Sequence, residues 1–164
     1  MILTGKSIIR RKIISHCIDE HVQAQPAGID LTVKAIYMFE AALTIDFNNT
    51  KRNKPLYKKL SYFDNIMILD HGTYFVEYNE TIIVPKTISA VLYPRSSLVR
   101  SGVSVKSGFI EAGYAGKLSS LLDVKNPYGA RIYKNARIAM CVCMEMECQT
   151  DGYSGIYQKN NYQK

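Results

Sequence analysis

The chain has 164 residues, of which 47% are hydrophobic and 21% charged, a composition that excludes a disordered protein. Its 21 Lys and Arg exceed its 14 Asp and Glu by a formal charge of +7, which favours polyanionic partners, nucleic acids as well as nucleoside triphosphates. The sequence has no apolar run near the roughly 18 residues of a membrane span and no apolar signal segment. We therefore expect one cytoplasmic domain over residues 1–164, with no membrane association and with reduced cysteines.

The N-terminal segment has the pattern of a short helix. Thr4 or Ser7 can cap it, and apolar residues between positions 8 and 14 recur near a 3.6-residue period. After Pro26 the pattern changes, and residues 29–37 alternate as a half-buried strand does.

Further short segments have the composition of strands, and turn residues separate them. They span residues 66–69, 74–78, 81–84, 90–93, 117–124, 131–133 and 138–146. Many short strands at this spacing predict an all-β sandwich or closed barrel.

A basic run covers residues 51–59. It contains Pro55 and shows no alternation, which is typical of a solvated loop. No stacking or groove-reading motif accompanies the run, so we do not expect the protein to bind nucleic acid.

Residues 95–100 form a candidate phosphate site. Arg95, Ser96 and Ser97 offer a guanidinium fork and two hydroxyls within one turn, and arginine suits bidentate phosphate binding. Arg100 can return to the same site if a helical turn follows. The alternative is a serine that caps this turn, with both arginines exposed.

A second motif, residues 108–117, begins after only seven further residues. Glu111 lies there in an apolar, glycine-rich setting, where a carboxylate can act as a general base or hold a sugar hydroxyl. Tyr114 can stack on a sugar and exclude a 2′-hydroxyl. The alternative is a hairpin shaped by Gly113 and Gly116, with Glu111 solvated and Tyr114 packed. The two motifs together predict a nucleotide site.

Two other features favour structural roles. Asp30 lies between apolar residues, so its carboxylate needs an arginine, backbone amides or a metal-bound water as a partner. Cys141 and Cys143 allow a zinc hypothesis, but no CxxC motif or nearby histidine completes a tetrahedral set. We expect Asp30 to brace the site and the two thiols to pack in a β core.

Taken in order, these segments resemble the dUTPase / dCTP deaminase superfamily, closest to its archaeal-type, deaminase-like members. Residues 25–31 look like the first motif of the family, 95–100 like the second, 108–116 like the third and 137–139 like the fourth. Residues 152–158 resemble its C-terminal Tyr/Gly segment. The resemblance implies a distorted β-barrel or jelly roll, a homotrimer with sites at subunit interfaces, and dUTP or dCTP bound with Mg²⁺ on its phosphates rather than in a protein metal site.

The resemblance also assigns roles to individual residues. Glu111 and Arg100 would be catalytic, with Asp30 and Arg137 as structural support. The substrate would be bound by Arg95, Ser96 and Ser97 at the phosphates, by Ser107, Gly108 and Phe109 at the pyrimidine edge, by Tyr114 at the deoxyribose, and by Tyr153, Tyr157 and Gln158 in a closing tail of about residues 151–164.

Three departures from the family pattern bear on the reaction. Leu121 occupies the position of the catalytic glutamate of the deaminases, and Asp123 lies two residues beyond that spacing. The dUTPase acid is usually aspartate, whereas here it is Glu111, and Met140 replaces the glutamine of the fourth motif. The predicted function is hydrolysis of dUTP to dUMP and pyrophosphate. The alternatives are dCTP deamination, alone or coupled to hydrolysis, and a weakly active regulatory homologue.

Overall fold

A computed structural model describes residues 1–159, and the end of the predicted closing tail, residues 160–164, lies outside them. In chain order the elements are α1 Gly5–Arg10, β1 Ile14–Ser15, α2 Glu20–Gln23, β2 Ala24–Gln25, β3 Gly28–Phe39, β4 Tyr57–Lys59, β5 Ile66–Leu69, β6 Gly72–Ile83, β7 Ile88–Pro94, α3 Ser96–Arg100, β8 Val103–Lys106, β9 Ala115–Val124, β10 Ala130–Tyr133 and β11 Arg137–Glu145.

One large antiparallel sheet dominates the structure. Its strand order is β7-β11-β3-β6-β9-β8, with β1 added to β6 and both β2 and β4 added to β3. β7 and β8, at the two ends of this order, also contact each other, so the sheet nearly closes into a barrel. β5 and β10 form a separate two-stranded ribbon. The predicted all-β, barrel-like fold with a short N-terminal helix is confirmed.

The core fills the inside of this barrel with aliphatic side chains from most strands. Ile36, Val76 and Leu122 are fully buried on the three central strands. Cys141 and Cys143 are also fully buried on β11, as expected for small apolar packing. Tyr78 is buried with its hydroxyl 2.7 Å from the Ser120 hydroxyl, so its polar end is satisfied within the core.

Several element predictions need correction. The N-terminal helix is capped by the Thr4 hydroxyl, which accepts from the Ser7 amide, but it ends at Arg10, and Ile14 belongs to β1. The strands predicted at 74–78 and 81–84 are one strand, β6, with a register shift between Glu77 and Thr81. The first half of β3 is buried on both faces rather than half-buried, because α1 and α2 also pack on it.

Candidate active site

The site is a cavity of about 730 Å³ beside strands β4, β6 and β9. Its walls come from the 40–56 connection between β3 and β4, the turn before β9, the start of β9 and the C-terminal tail. The lining residues are Asn49, Arg52, Asn53, Lys54, Pro55, Tyr57, Phe75, Gly108, Phe109, Ile110, Glu111, Tyr114, Lys117, Leu118, Ser119, Tyr153, Ile156 and Tyr157. Aromatic rings, three cations and one carboxylate therefore share one space.

A glycine turn places Glu111 at this cavity. Ile110 exchanges two backbone hydrogen bonds with Ala90 of β7, at 2.8 and 2.9 Å, and the Tyr114 amide donates to the Glu111 carbonyl at 3.1 Å. Gly113 has φ +83°, and a Cβ there would lie 2.8 Å from the Gly152 Cα, so only glycine fits this turn against the tail.

The carboxylate of Glu111 is exposed, and no residue among 1–159 forms a hydrogen bond or ion pair with it. The turn fixes the backbone of Glu111 at both sides, so the side chain is presented to the cavity while its oxygens stay available. An unengaged carboxylate held at a cavity wall can accept a proton from a bound water or hydroxyl.

The C-terminal tail packs on the same turn. The Gln158 side-chain amide accepts from the Ala115 amide at 2.8 Å and donates to the Gly113 and Tyr153 carbonyls at 2.8 and 3.1 Å. The rings of Tyr153 and Tyr114 meet edge to face at 5.8 Å. Gln158 thus holds the tail in place, and Tyr153 and Tyr157 line the cavity.

Two of the three residues predicted to contact the pyrimidine edge lie at this cavity. Gly108 and Phe109 line it, and their backbone groups take part in no hydrogen bond among residues 1–159. Ser107 does not line it, and its hydroxyl is buried without a partner in the described part of the chain. Unpaired backbone donors and acceptors beside aromatic rings suit the edge of a nucleobase.

The candidate phosphate site at residues 95–100 does not lie at this cavity. Ser96, Ser97 and Arg100 are exposed on the one-turn helix α3, and neither they nor Arg95 line the cavity. The helical turn on which the predicted phosphate site depended is present, but it begins at Ser96 and so includes both serines. Within one chain, the structure does not bring this helix to Glu111.

Asp30 has the arginine partners that its burial required. Its Oδ2 lies 3.0 Å from Arg95 Nε and 3.2 Å from Arg137 Nη1. Burial raises the pKa of the Asp30 carboxyl, and the two guanidinium groups oppose that rise. Arg95 Nη1 also donates to the Arg137 carbonyl at 3.3 Å, so this group fixes the start of α3 to β3 and β11.

Leu121 and Asp123, the two residues considered for deamination, both lie on β9 away from the cavity. Leu121 pairs with Phe75 across β9 and β6 and does not line the cavity. Asp123 is engaged by Lys106 at 2.9 Å, Thr73 at 3.1 Å and Lys125 at 3.4 Å. The Lys106 hydrogen bond is the main cause that lowers the pKa of the Asp123 carboxyl. Asp123 is therefore a poor proton carrier.

Sequence analysis missed one whole wall of the cavity. The pattern of residues 51–59 predicts a solvated loop, yet Arg52 and Lys54 line the cavity and Tyr57 begins β4. The sequence signal for this wall is the cluster of cations itself. The aromatic residues next to this segment in space, Tyr157 and Phe75, are distant in the chain, so the sequence does not show that the cations face a cavity. Lys117 was also missed, and its pKa is lowered by burial and by the nearby Lys34.

Residues 1–159 hold no cluster of three or more His, Cys, Asp or Glu side chains that could bind a metal ion. The same residues include no helix long and apolar enough to cross a membrane.

The fold and the site define a barrel-like protein whose cavity suits a ligand with a ring and a polyanionic group. A sequence model of the dCTP deaminase-like family matches residues 2–146. The chain belongs to this family, and the superfamily predicted from its motifs is confirmed.

Two relatives and one solved structure are informative. The chain is 37% identical over 151 residues to a probable deoxyuridine 5′-triphosphate nucleotidohydrolase of Methanosarcina mazei, covering 91% of this chain and 88% of the relative. It is 40% identical over 141 residues to the deoxyuridine 5′-triphosphate nucleotidohydrolase of Methanocaldococcus jannaschii, covering 85% and 89%. The 2′-deoxycytidine 5′-triphosphate deaminase of Agrobacterium tumefaciens superposes with a TM-score of 0.64 at 19% identity, covering 87% of this chain. The chain spans only 47% of that deaminase, and this likeness shows the fold alone.

Proposed function

We propose that the protein hydrolyses dUTP to dUMP and pyrophosphate. The observation that carries the proposal is Glu111, a carboxylate with no hydrogen-bond or ion-pair partner among residues 1–159, fixed by a glycine turn at the wall of an aromatic and cationic cavity. The curated relatives at 37% and 40% identity are named for this reaction, which supports the same substrate.

In the proposed reaction, the Glu111 carboxylate accepts a proton from a water molecule. The water oxygen forms a bond to the α-phosphorus as the bond from that phosphorus to the bridging oxygen of the β-phosphate breaks. The electron pair of the broken bond leaves with pyrophosphate. Fixing the base on a rigid turn lowers the cost of aligning the water for in-line attack.

Mg²⁺ would be carried by the phosphates of the substrate, where it offsets the charge that develops on the leaving pyrophosphate. The donor set agrees with this arrangement, because Glu111 is the only carboxylate among the described residues that line the cavity. The chain's own residues therefore bind the nucleotide and move the proton.

The turn that carries Glu111 would also recognise the nucleoside. Tyr114 would pack against the deoxyribose, in the edge contact with Tyr153 that already fixes its ring. The backbone groups of Gly108 and Phe109 would pair with the uracil edge. A cytosine edge would leave buried donors or acceptors unpaired, and this costs far more than a lost apolar contact.

A second copy of the chain would complete the site. Ser96, Ser97 and Arg100 are exposed on α3 and do not reach the cavity of their own chain. In a closed homotrimer, α3 of one subunit would meet Glu111 of the next and bind the phosphates there. Arg95 would act mainly through Asp30, to which it is paired. A cytoplasmic location, expected from the sequence, belongs to the same proposal.

The structure gives less support to dCTP deamination. Leu121 cannot transfer a proton, and Asp123 is held by two lysines on a part of β9 away from the cavity. No described residue at the cavity other than Glu111 offers a carboxylate for that chemistry.

Product analysis tests the proposal. Purified protein is incubated with Mg²⁺ and either dUTP or dCTP, and the products are separated by ion-exchange chromatography. Formation of dUMP and pyrophosphate from dUTP, with dCTP unchanged, is expected. Formation of dUTP or dUMP from dCTP would support the deaminase instead, and intact nucleotides in both reactions would support a regulatory homologue.

A further inference from the structure

The 40–56 connection is an ordered loop in the structure. The Asn53 side chain accepts from the Thr44 amide and donates to the Ala42 carbonyl, both at 2.6 Å. Asp46 accepts from the Thr50 hydroxyl at 2.9 Å and from the Lys51 amide at 3.1 Å. These contacts fix the path of the backbone on either side of Arg52.

The base of the loop is anchored on the sheet. β4 pairs with the end of β3, and the Tyr57 ring stacks on Phe75 of β6 with centroids 4.5 Å apart and planes 12° apart. Because Tyr57 and Phe75 also line the cavity, the loop and the cavity share one wall. Hydrogen bonds within the loop and packing at its base therefore set the backbone path that carries Arg52 and Lys54.

Arg52 and Lys54 have no acidic partner in the described part of the chain. Neither forms an ion pair with any carboxylate among residues 1–159. Arg52 instead donates to the Tyr157 hydroxyl, and its guanidinium carbon lies 5.1 Å from the centroid of the Tyr157 ring. The Tyr157 hydroxyl is a neutral acceptor, so an anion that entered the cavity would be a stronger partner for Arg52.

The charge of the cavity also favours an anionic ligand. Its described lining has three cations, Arg52, Lys54 and Lys117, against the single carboxylate of Glu111. The amine of Lys117 donates to the Asn79 carbonyl at 2.7 Å, so Lys117 is partly engaged. Arg52 and Lys54 are therefore the cations of this wall with the most free donors.

We propose that Arg52 and Lys54 bind the polyphosphate of the nucleotide, as a second phosphate contact supplied by the same chain as Glu111. This inference rests on the proposed function for its substrate. Phosphate binding would draw the Arg52 guanidinium from the Tyr157 hydroxyl to the phosphate oxygens, while the cation–π contact with the ring can persist. The loop that holds the phosphates would thereby also hold the tail over the nucleotide.

The test compares single-charge variants within one loop. Arg52→Ala and Lys54→Ala are matched with Lys51→Ala, which removes the same charge from an exposed side chain that does not line the cavity. Dissociation constants are measured by calorimetry for α,β-imido-dUTP, inorganic triphosphate and deoxyuridine. We expect roughly a 10-fold loss of affinity for both triphosphates with each cavity variant, the usual effect of a lost charge-assisted hydrogen bond. Lys51→Ala should change them by less than about 2-fold, because Lys51 does not line the cavity.

The nucleoside separates phosphate binding from an indirect effect through the tail. Deoxyuridine affinity should be the same in all variants, and Tyr157→Phe, which removes only the hydroxyl, should weaken inorganic triphosphate binding less than Arg52→Ala does. Equal losses for deoxyuridine and the triphosphates, or equal effects of Lys51→Ala and Arg52→Ala, would overturn the inference.

The same measurements keep the two proposals distinct. If the wild-type protein does not hydrolyse dUTP but Arg52→Ala still weakens its binding of inorganic triphosphate, the proposed function fails and the phosphate contact stands. If the wild-type protein hydrolyses dUTP and the cavity variants bind triphosphates as it does, the phosphate contact fails and the proposed function stands.

Discussion

Replacement of Glu111 by Gln separates catalysis from binding and folding. The substitution keeps the size of the side chain and its hydrogen-bonding reach but removes the base. We expect kcat for dUTP hydrolysis to fall by about 10²- to 10⁴-fold, the usual span for loss of a general base. The dissociation constant for α,β-imido-dUTP should change little, because the phosphate contacts are untouched.

The structure predicts that this variant folds normally. The Glu111 side chain is exposed and has no hydrogen-bond or ion-pair partner among residues 1–159, so its replacement breaks no described contact. The free energy of unfolding should stay within about 0.5 kcal/mol of the wild type, as for other surface substitutions. A loss of rate can then be assigned to chemistry.

The assay is steady-state release of pyrophosphate at saturating dUTP and Mg²⁺, with denaturant unfolding of the same preparations as the control. Glu111→Asp provides a second comparison, because it keeps the base and shortens its reach by one methylene. It should retain far more activity than the glutamine variant. A glutamine variant with a kcat close to that of the wild type would refute the role of Glu111 as the base.

Four further outcomes follow from particular contacts. Gly113→Ala should destabilise the protein by about 1–2 kcal/mol in urea unfolding, since φ is +83° there and a Cβ would meet Gly152 at 2.8 Å; unchanged stability would contradict the described turn. Asp30→Ala should cost about 2 kcal/mol, because it removes a buried side chain together with both of its contacts to Arg95 and Arg137; a more stable variant would contradict the bracing role. Gln158→Ala removes three hydrogen bonds to the glycine turn and should raise KM for dUTP more than it changes kcat; an unaltered KM would show that the tail does not close the site. Co-refolding equal amounts of Glu111→Gln and Arg100→Ala should restore about a quarter of wild-type activity if each site combines two subunits, and no recovery would place both residues in one chain.

Most of the barrel could be predicted from the sequence because its strands are short, β-rich and separated by turn residues. The predicted segment at 66–69 matches β5 at both ends. β7 begins two residues before the predicted 90–93 and ends one residue after it, and β9 begins two residues before the predicted 117–124 and ends with it. Two strands, β8 and β4, could not be predicted, for reasons that lie in their own segments. β8 is a strand of four residues that lies between the two nucleotide-site motifs. β4 consists of Tyr57 and two lysines and follows Pro55 in a basic run that has no alternation.

The candidate site also has a part that the sequence predicts and a part that it does not. Glu111, Tyr114 and the glycine turn could be predicted because they are contiguous, and Asp30 because a carboxylate between apolar residues requires a cationic partner. The loop wall could not be predicted, because the placement of Arg52 depends on the stacking of Tyr57 on Phe75 across the sheet. The separation of α3 from Glu111 also could not be predicted, because closeness in sequence does not show which face of a barrel each motif occupies.

Hydrolysis of dUTP in water enriched in oxygen-18, with Mg²⁺ and purified protein, followed by mass spectrometry of both products, identifies the phosphorus that the water attacks. We expect rapid formation of dUMP that carries one heavy oxygen on its phosphate, with unlabelled pyrophosphate, because the water activated by Glu111 attacks the α-phosphorus. Label in pyrophosphate rather than in dUMP, or dUTP left intact while dCTP loses ammonia, would contradict the proposed reaction.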